Sequence, residues 1–270
     1  MRLIYLADTH IRSGIPENRR DDYFNAISVK LSEVLHLCRR YQVDFIIHGG
    51  DVFDNPRPDQ RSLDLFRWFL KELDLPAYCV AGNHDLIEQR LDSLESTAIG
   101  NLARRGLIKL LQPGERVCLA DGGCVLQLSG QHFYGNIDRQ KNKDHYMVKK
   151  KRCDIALHVT HGMLLPRAFS EKVPCTLISE VISTEADITL GAHAHLGYHE
   201  VVGDKYFLNP GALARLTNLK QELVRRPRVL YIEFKSQKTS YKFIPLASAR
   251  PGSNIMGVCQ GDGSSDTFRD

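Results

Sequence analysis

Val43-Asp44-Phe45-Ile46-Ile47-His48-Gly49-Gly50-Asp51-Val52-Phe53-Asp54 decides how the chain is to be read. Its first five residues form a β-rich apolar run, too short for a helix, and predict a buried strand. The run stops at two glycines, which let the backbone turn tightly and approach a ligand closely. In an α/β sheet ligands collect beyond the carboxyl ends of the strands, which puts Asp51 where chemistry is done. A carboxylate there has two oxygens and can bridge two metal ions. Alone, Gly-Gly-Asp after a strand also suits an ordinary loop. Its recurrence gives it weight.

The same event happens four more times. Arg2 to Ala7 ends in Asp8-Thr9-His10, Ala77 to Ala81 in Gly82-Asn83-His84-Asp85, and Asp154 to Thr160 in His161-Gly162. Asp187 to Leu190 ends in Gly191-Ala192-His193-Ala194-His195. Five predicted strands thus deliver Asp, Asn or His at one end, the ligand types of a mixed nitrogen and oxygen site for Mn, Fe or Zn.

Between these strands the spacing turns helical. Phe24, Ile27, Leu31, Val34, Leu35 and Cys38 predict an amphipathic helix over 21–41, and Leu63, Phe66, Phe69, Leu70 and Leu73 another over 59–73. A third is expected over Leu91 to Arg105. Strands alternating with such helices predict an α/β fold with a largely parallel sheet. Beyond 105 the elements shorten to strands at 108–111, 117–119, 125–128 and 132–134. A hairpin is expected at Asp121-Gly122-Gly123, another at Gly203-Asp204, and a closing pair at 229–234 and 241–244. Two packed mixed β-sheets flanked by helices is the predicted architecture, as one domain over 1–246. Residues 247–270, rich in Gly, Ser and Asp without periodicity, are expected to be a mobile tail.

With 270 residues and 43% hydrophobic content the chain can bury a substantial core. No apolar run approaches the ~20 residues of a membrane span. The seven cysteines are scattered without a C-x-x-C pair, and the chain begins directly on a strand, so a cytoplasmic location is expected. The formal charge of +4 is too small to imply a polyanionic partner by itself.

Taken in order, Asp8-x-His10, Gly50-Asp51-x-x-Asp54, Gly82-Asn83-His84-Asp85, His161-Gly162 and His193-x-His195 resemble the calcineurin-like metallophosphoesterase superfamily. The resemblance runs over residues 1 to about 210, on the motifs, and implies a four-layer α-β-β-α sandwich with two adjacent metal ions. It implies that Asp8, His10, Asp51 and His195 hold one ion, and Asp51, Asn83, His161 and His193 the other. Mn²⁺ is the expected metal, with Fe²⁺, Zn²⁺ and Mg²⁺ as alternatives. Two such cations stabilise the attacking and leaving oxygens of an in-line displacement at phosphorus and acidify a shared water. His84, beside a ligand but outside the ligand set, is expected to protonate the leaving oxygen or to neutralise the developing charge, oriented by Asp54 or by Asp85. His36, His48, His132, His145, His158 and His199 fit no motif and are left structural or superficial. The family has Gly directly before the first His of the last pair; here Ala192 stands there.

Within the superfamily, Asp8-Thr9-His10, Gly50-Asp51-Val52-Phe53-Asp54-Asn55-Pro56-Arg57-Pro58 and Val80-Ala81-Gly82-Asn83-His84-Asp85 are most similar to the SbcD-type and meiotic-recombination DNA-repair nucleases. Asn209-Pro210-Gly211-Ala212 is similar to their Pro-Gly-Ser turn, with Ala212 for serine. The resemblance implies hydrolysis of DNA phosphodiester bonds, and in that family a coiled-coil SMC-like ATPase partner. A homodimer is a further expectation. A phosphodiesterase or phosphatase of small molecules is the alternative. Lys141, Lys143, Lys149, Lys150, Lys151 and Arg152 precede the His161 strand, and Arg215, Lys220, Arg225, Arg226 and Arg228 follow the Asn209 turn. Of these, Lys149, Lys150, Lys151, Arg152, Arg215, Lys220, Arg225 and Arg226 are the expected contacts to a phosphate backbone.

Overall fold

In the computed structural model, residues 1–141, 143–235 and 238–257 are described. The first half alternates as expected: β1 (Arg2–Leu6), α1 (Tyr23–Tyr41), β2 (Phe45–His48), α2 (Gln60–Leu73), β3 (Ala77–Cys79), α3 (Ala98–Arg104) and β4 (Lys109–Leu110). Then follow β5 (Val117–Asp121), β6 (Cys124–Gln131), β7 (Ile155–Thr160), β8 (Leu164–Leu165), β9 (Thr176–Leu177), β10 (Ile188–Gly191), β11 (Tyr198–Val202) and β12 (Lys205–Asn209). A short α4 (Lys220–Val224), the pair β13 (Arg228–Lys235) and β14 (Lys238–Pro245), and α5 (Gly252–Ile255) follow among the described residues.

Two six-stranded sheets result, in the orders β14-β13-β1-β2-β3-β4 and β11-β12-β10-β7-β6-β5. β1 to β4 run parallel in the first sheet, as do β6, β7, β10 and β12 in the second. Central parallel strands are covered on both faces, so every residue along them must be apolar or satisfied. β1 shows how. Leu3 and Tyr5 enter the core between the sheets with Ile47, Leu157 and Leu190, while Ile4 and Leu6 face the helices with Ile27, Leu31 and Phe66. Tyr5 also donates its hydroxyl to the Gly191 carbonyl (2.8 Å), tying one sheet to the other at the end where the motifs lie.

Local chemistry sets the helix ends. Asp22 and Asp59 cap α1 and α2, accepting from the backbone N–H of Asn25 and Ser62. The helix expected over Leu91 to Arg105 is two pieces. Thr97 sits in extended backbone, donates to the Leu94 carbonyl and accepts from Gly100 N–H, closing a 3₁₀ segment (Leu91–Ser96) and starting α3. The strand expected at 132–134 is absent. That segment leaves β6 and crosses to the first sheet, where His132 Nδ1 accepts from Ala81 N–H (3.0 Å) and Phe133 N–H donates to the Ala81 carbonyl (2.9 Å).

The hairpins form at Gly122-Gly123 and Gly203-Asp204, with positive φ at all three glycines as such two-residue turns require. Part of the expected tail is packed instead. Ala249, Ile255 and Met256 are buried, Met256 bridges Arg19, and Glu33 accepts from the backbone of Ala247 and Ser248. Its remainder, 258–270, lies outside the described residues. Among the described residues no helix is long and apolar enough to cross a membrane.

Candidate metal centre

All five motif loops leave the carboxyl ends of parallel strands and meet on one rim. The β1–β2 ladder continues past both strands: Asp8 N–H donates to the Gly50 carbonyl (3.1 Å), His10 to Asp51 (3.0 Å) and Ile11 to Val52 (2.9 Å). Asp8, His10, Asp51 and His193 hold φ of 53°, 42°, 51° and 66°, left-handed backbone that costs an L residue energy and gathers at functional sites. Gly50 stands at φ 99°, and a methyl group there would lie 2.5 Å from His161 Nδ1, so glycine is required.

Two groups of donor atoms share Asp51. Asp8, His10, Asp51 and His195 offer atoms within 4.8 Å of one another, and so do Asp51, His161 and His193. Asp51 Oδ2 is 3.6 Å from His10 Nε2 and 3.4 Å from His161 Nε2, while His195 Nε2 is 3.8 Å from Asp8 Oδ1. Asn83 Oδ1 joins the second group at 3.2 Å from His161 Nε2. His161 Nδ1–H meets the Gly49 carbonyl (2.8 Å), which turns Nε2 toward Asp51 and Asn83. The structure therefore brings the seven residues expected as ligands to one place, where His10, Asp54 and His84 form a further group of atoms within 4.8 Å.

The electrostatics suit cations. Burial lifts Asp8 to about 6, with Asp51 adding to the rise against the pull of His161. Burial acts on Asp51 in the same direction, but His161 and His10 outweigh it and hold Asp51 well below the usual range. His161, which burial alone would lower, is raised to about 9 by Asp51 and Asp8. Burial lowers His193 to about 4 and carries His195 well below its ordinary value. His10 and His195 face each other Nε2 to Nε2 at 3.2 Å, a contact that can share only one proton. Buried carboxylates around convergent imidazole lone pairs make a donor set that fits divalent cations.

The calcineurin-like phosphoesterase family model matches residues 1–197. The chain belongs to that family. Its members use divalent metals, which the donor groups here fit. The DNA double-strand break repair protein Mre11 of Halobacterium salinarum is 26% identical over 224 residues, 79% of this chain and 52% of that protein. Its namesake from Methanosarcina acetivorans is 34% identical over 92 residues, 32% of this chain and 14% of that protein. The chain thus spans about half or less of the relatives it matches. A dimetal phosphatase from Danio rerio shares the fold, with TM-score 0.58, 13% identity and coverage of 91% of this chain and 96% of that one.

Around the expected ligands, the supporting residues take specific posts. His84 Nδ1 lies 2.9 Å from the backbone carbonyl of Asp54, and His84 N–H donates to Asp51 Oδ1 (2.9 Å). Asp54 thus holds His84 through its carbonyl, while its carboxylate pairs with Arg12 (2.7 Å) and stands 3.7 Å from His10 Nδ1. Asp85, the other candidate to orient His84, is not free for that task. Its buried carboxylate accepts from the N–H groups of Asp51 (2.7 Å), Gly82 (2.9 Å) and Val52 (3.1 Å), clamping two ligand loops together. His48 was left without a role, yet Nδ1 accepts from Gly50 N–H (3.2 Å) and Nε2 meets Thr9 Oγ1 (3.1 Å), with Thr9 donating to the Val52 carbonyl. Its place directly before Gly49-Gly50 was the available signal. Arg12, two residues past His10, carried none.

The expected DNA contacts fare differently. Lys149, Lys150, Lys151 and Arg152 precede β7, whereas His161 follows it, so six strand residues, roughly 20 Å, separate them from the site. Lys149 and Lys150 are moreover paired with Glu185 and Asp187, each at 2.8 Å. Arg215 is buried and donates to the carbonyls of Arg250 and Arg225. Arg225 donates to the carbonyls of Ala212 and Ala214 and pairs with Glu222, bracing the loop that backs His195. Arg226 is exposed but donates to the Leu246 carbonyl, and Lys220 is exposed on α4. Arg215 through both Nη atoms, and Arg225 through backbone carbonyls and Glu222, are thus tied into the fold.

Proposed function

We propose that this phosphoesterase hydrolyses DNA phosphodiester bonds. The observation that supports the hydrolysis is Asp51, shared by two ligand groups, with His84 pinned beside them. Asp8, His10, Asp51 and His195 would hold one divalent ion, and Asp51, Asn83, His161 and His193 the second. Bound there, such ions supply Lewis-acid stabilisation and acidify water. The chain does the rest. The Gly49 carbonyl keeps His161 in the ligating tautomer, and Asp85 keeps the Asp51 and Gly82 loops in register. His84, with Nδ1 engaged by the Asp54 carbonyl, has Nε2 left to pass a proton to the leaving oxygen.

DNA as the substrate is supported by the Mre11 relatives and by the sequence motifs, and no longer by the basic clusters. Mn²⁺ as the preferred ion follows from the mixed Asp, Asn and His donors. A coiled-coil ATPase partner belongs to the same reading, and co-purification would test it. The deciding experiment incubates the purified chain, loaded in turn with Mn²⁺, Zn²⁺ and Mg²⁺, with labelled single- and double-stranded DNA and with bis(p-nitrophenyl) phosphate. Metal-dependent cutting of DNA, best in Mn²⁺, is expected. Turnover of the small diester with DNA left intact in every metal would move the protein to the small-molecule phosphodiesterases.

A further inference from the structure

We infer that Arg12 is a phosphate-binding residue of this site, its guanidinium pre-set by Asp54 to hold a non-bridging oxygen of the substrate beside His84. The inference rests on the phosphoesterase reading, though not on DNA as the substrate.

Arg12 lies in the loop after β1, two residues beyond His10. Its backbone is fixed on both sides: Ile11 N–H donates to the Val52 carbonyl (2.9 Å), and the Ser13 hydroxyl donates to Asp59 (2.7 Å). Its side chain is fixed by one bond, Nη1–H to Asp54 Oδ2 at 2.7 Å. That same Asp54 touches both halves of the chemistry, with Oδ1 3.7 Å from His10 Nδ1 and its carbonyl 2.9 Å from His84 Nδ1. One residue therefore joins the guanidinium to an expected ligand and to the expected acid.

Among the described residues the rest of the guanidinium has no hydrogen-bond partner. Its side chain is 37% exposed, against 18% for Asp54, and the Asp54 bond uses one of five N–H donors. A planar fork with free donors suits phosphate oxygens better than a lysine does, and anchoring it beforehand reduces the entropy lost on binding. The contrast with Arg225 is instructive. There four of the five N–H donors are engaged, two by the carbonyls of Ala212 and Ala214 and two by Glu222.

The test compares parent, Arg12→Ala and Arg12→Lys, each loaded with Mn²⁺. Four quantities are read: inorganic phosphate affinity by calorimetry, kcat and KM on bis(p-nitrophenyl) phosphate, bound metal, and Tm. Arg12→Ala should weaken phosphate binding and raise KM about tenfold or more, the effect of one charged hydrogen bond. Metal content and Tm should hold, kcat should move less than KM, and Arg12→Lys should recover part of the loss. Unchanged phosphate affinity in Arg12→Ala would overturn the assignment. Lost metal with unchanged KM would do the same, making Arg12 a strut for His10. If the parent leaves DNA uncut while phosphate affinity still depends on Arg12, the DNA reading falls and this one stands.

Discussion

Each sheet runs four strands parallel, the first with antiparallel strands at one edge and the second at both, yet the two bury different chemistry on their outer faces. Outside the first sheet, Ile4, Leu6, Ile46 and Cys79 pack against α1 and α2. Outside the second, the matching positions on β6, β7 and β10 are Ser129, His158, Thr160 and Thr189, all buried. The covering differs accordingly. Long amphipathic helices lie over the first face, while the chain between β6 and β10 contributes 3₁₀ turns at Ile137–Arg139, Asp144–Tyr146 and Ile178–Glu180. The expected ligands divide the same way: carboxylates, an amide and one imidazole come from the first sheet, three imidazoles from the second. Apolar burial holds the half that carries the carboxylates, and a polar network holds the half that carries imidazoles alone.

The sharpest way to break this comparison is to remove one ligand from each half. Asp51→Ala should lose both metal equivalents and bring turnover to background, since Asp51 stands in both donor groups. His193→Ala should lose one equivalent and keep the other. Elemental analysis after Mn²⁺ loading reads both, and equal losses in the two variants would end the claim that Asp51 is shared.

Next in size is His84→Asn. His84 is outside both ligand sets and is held by the Asp54 carbonyl, so turnover should drop ~10²–10⁴-fold with two metal equivalents retained. Metal loss as severe as in Asp51→Ala would make His84 a ligand or a prop.

A smaller effect belongs to the second sheet alone. His158 is buried, with Nδ1 on Ser129 Oγ (3.0 Å) and Nε2 on the His145 carbonyl (3.2 Å), and burial lowers it from 6.5 to about 4. The unfolded chain therefore takes up a proton that the folded chain refuses. Stability is whole above pH 6.5 and declines as pH falls towards 4, by roughly 3 kcal/mol in total for this group. Urea unfolding at pH 7 and pH 5 in a chelator, so that metal release does not enter, should show a shallower decline in His158→Gln. An unchanged pH dependence would mean that His158 does not titrate with unfolding.

Much of this was legible from sequence, and the gaps have physical reasons. Apolar spacing in α1 and α2 reports burial on one face, and both helices form where Phe24 to Cys38 and Leu63 to Leu73 point. Strand-then-ligand motifs are local, so the five loops could be read one by one. What spacing does not encode is which atom of a residue is used. Asp54 holds His84 by its carbonyl, and Asp85 spends its carboxylate on backbone N–H groups, choices made only when loops from β2 and β3 meet. Thr97 could have been seen as a cap inside a helical pattern. His132–Tyr134 alternates like a strand but is drawn off by its bonds to Ala81.

The smallest expected effect concerns Lys149 and Lys151, and here the order of the chain already held the answer. Residues that precede a parallel strand lie at its amino end, and those that follow lie at its carboxyl end. Lys149–Arg152 run into β7, and His161 runs out of it, so the cluster and the site are on opposite edges of the second sheet. Lys149 is also paired to Glu185 across exposed surface, where such pairs contribute little. Replacing Lys149 and Lys151 with Ala should therefore leave DNA cleavage, and the dependence of DNA affinity on salt, as in the parent. Each lost duplex-phosphate contact would flatten that salt slope by ~0.9, a change well within reach of measurement. A flatter slope in the double variant would mean that DNA wraps from the metal rim across the sheet to its far edge. The substrate would then be a long duplex rather than an end, and the second sheet would serve as a track as well as a source of histidines.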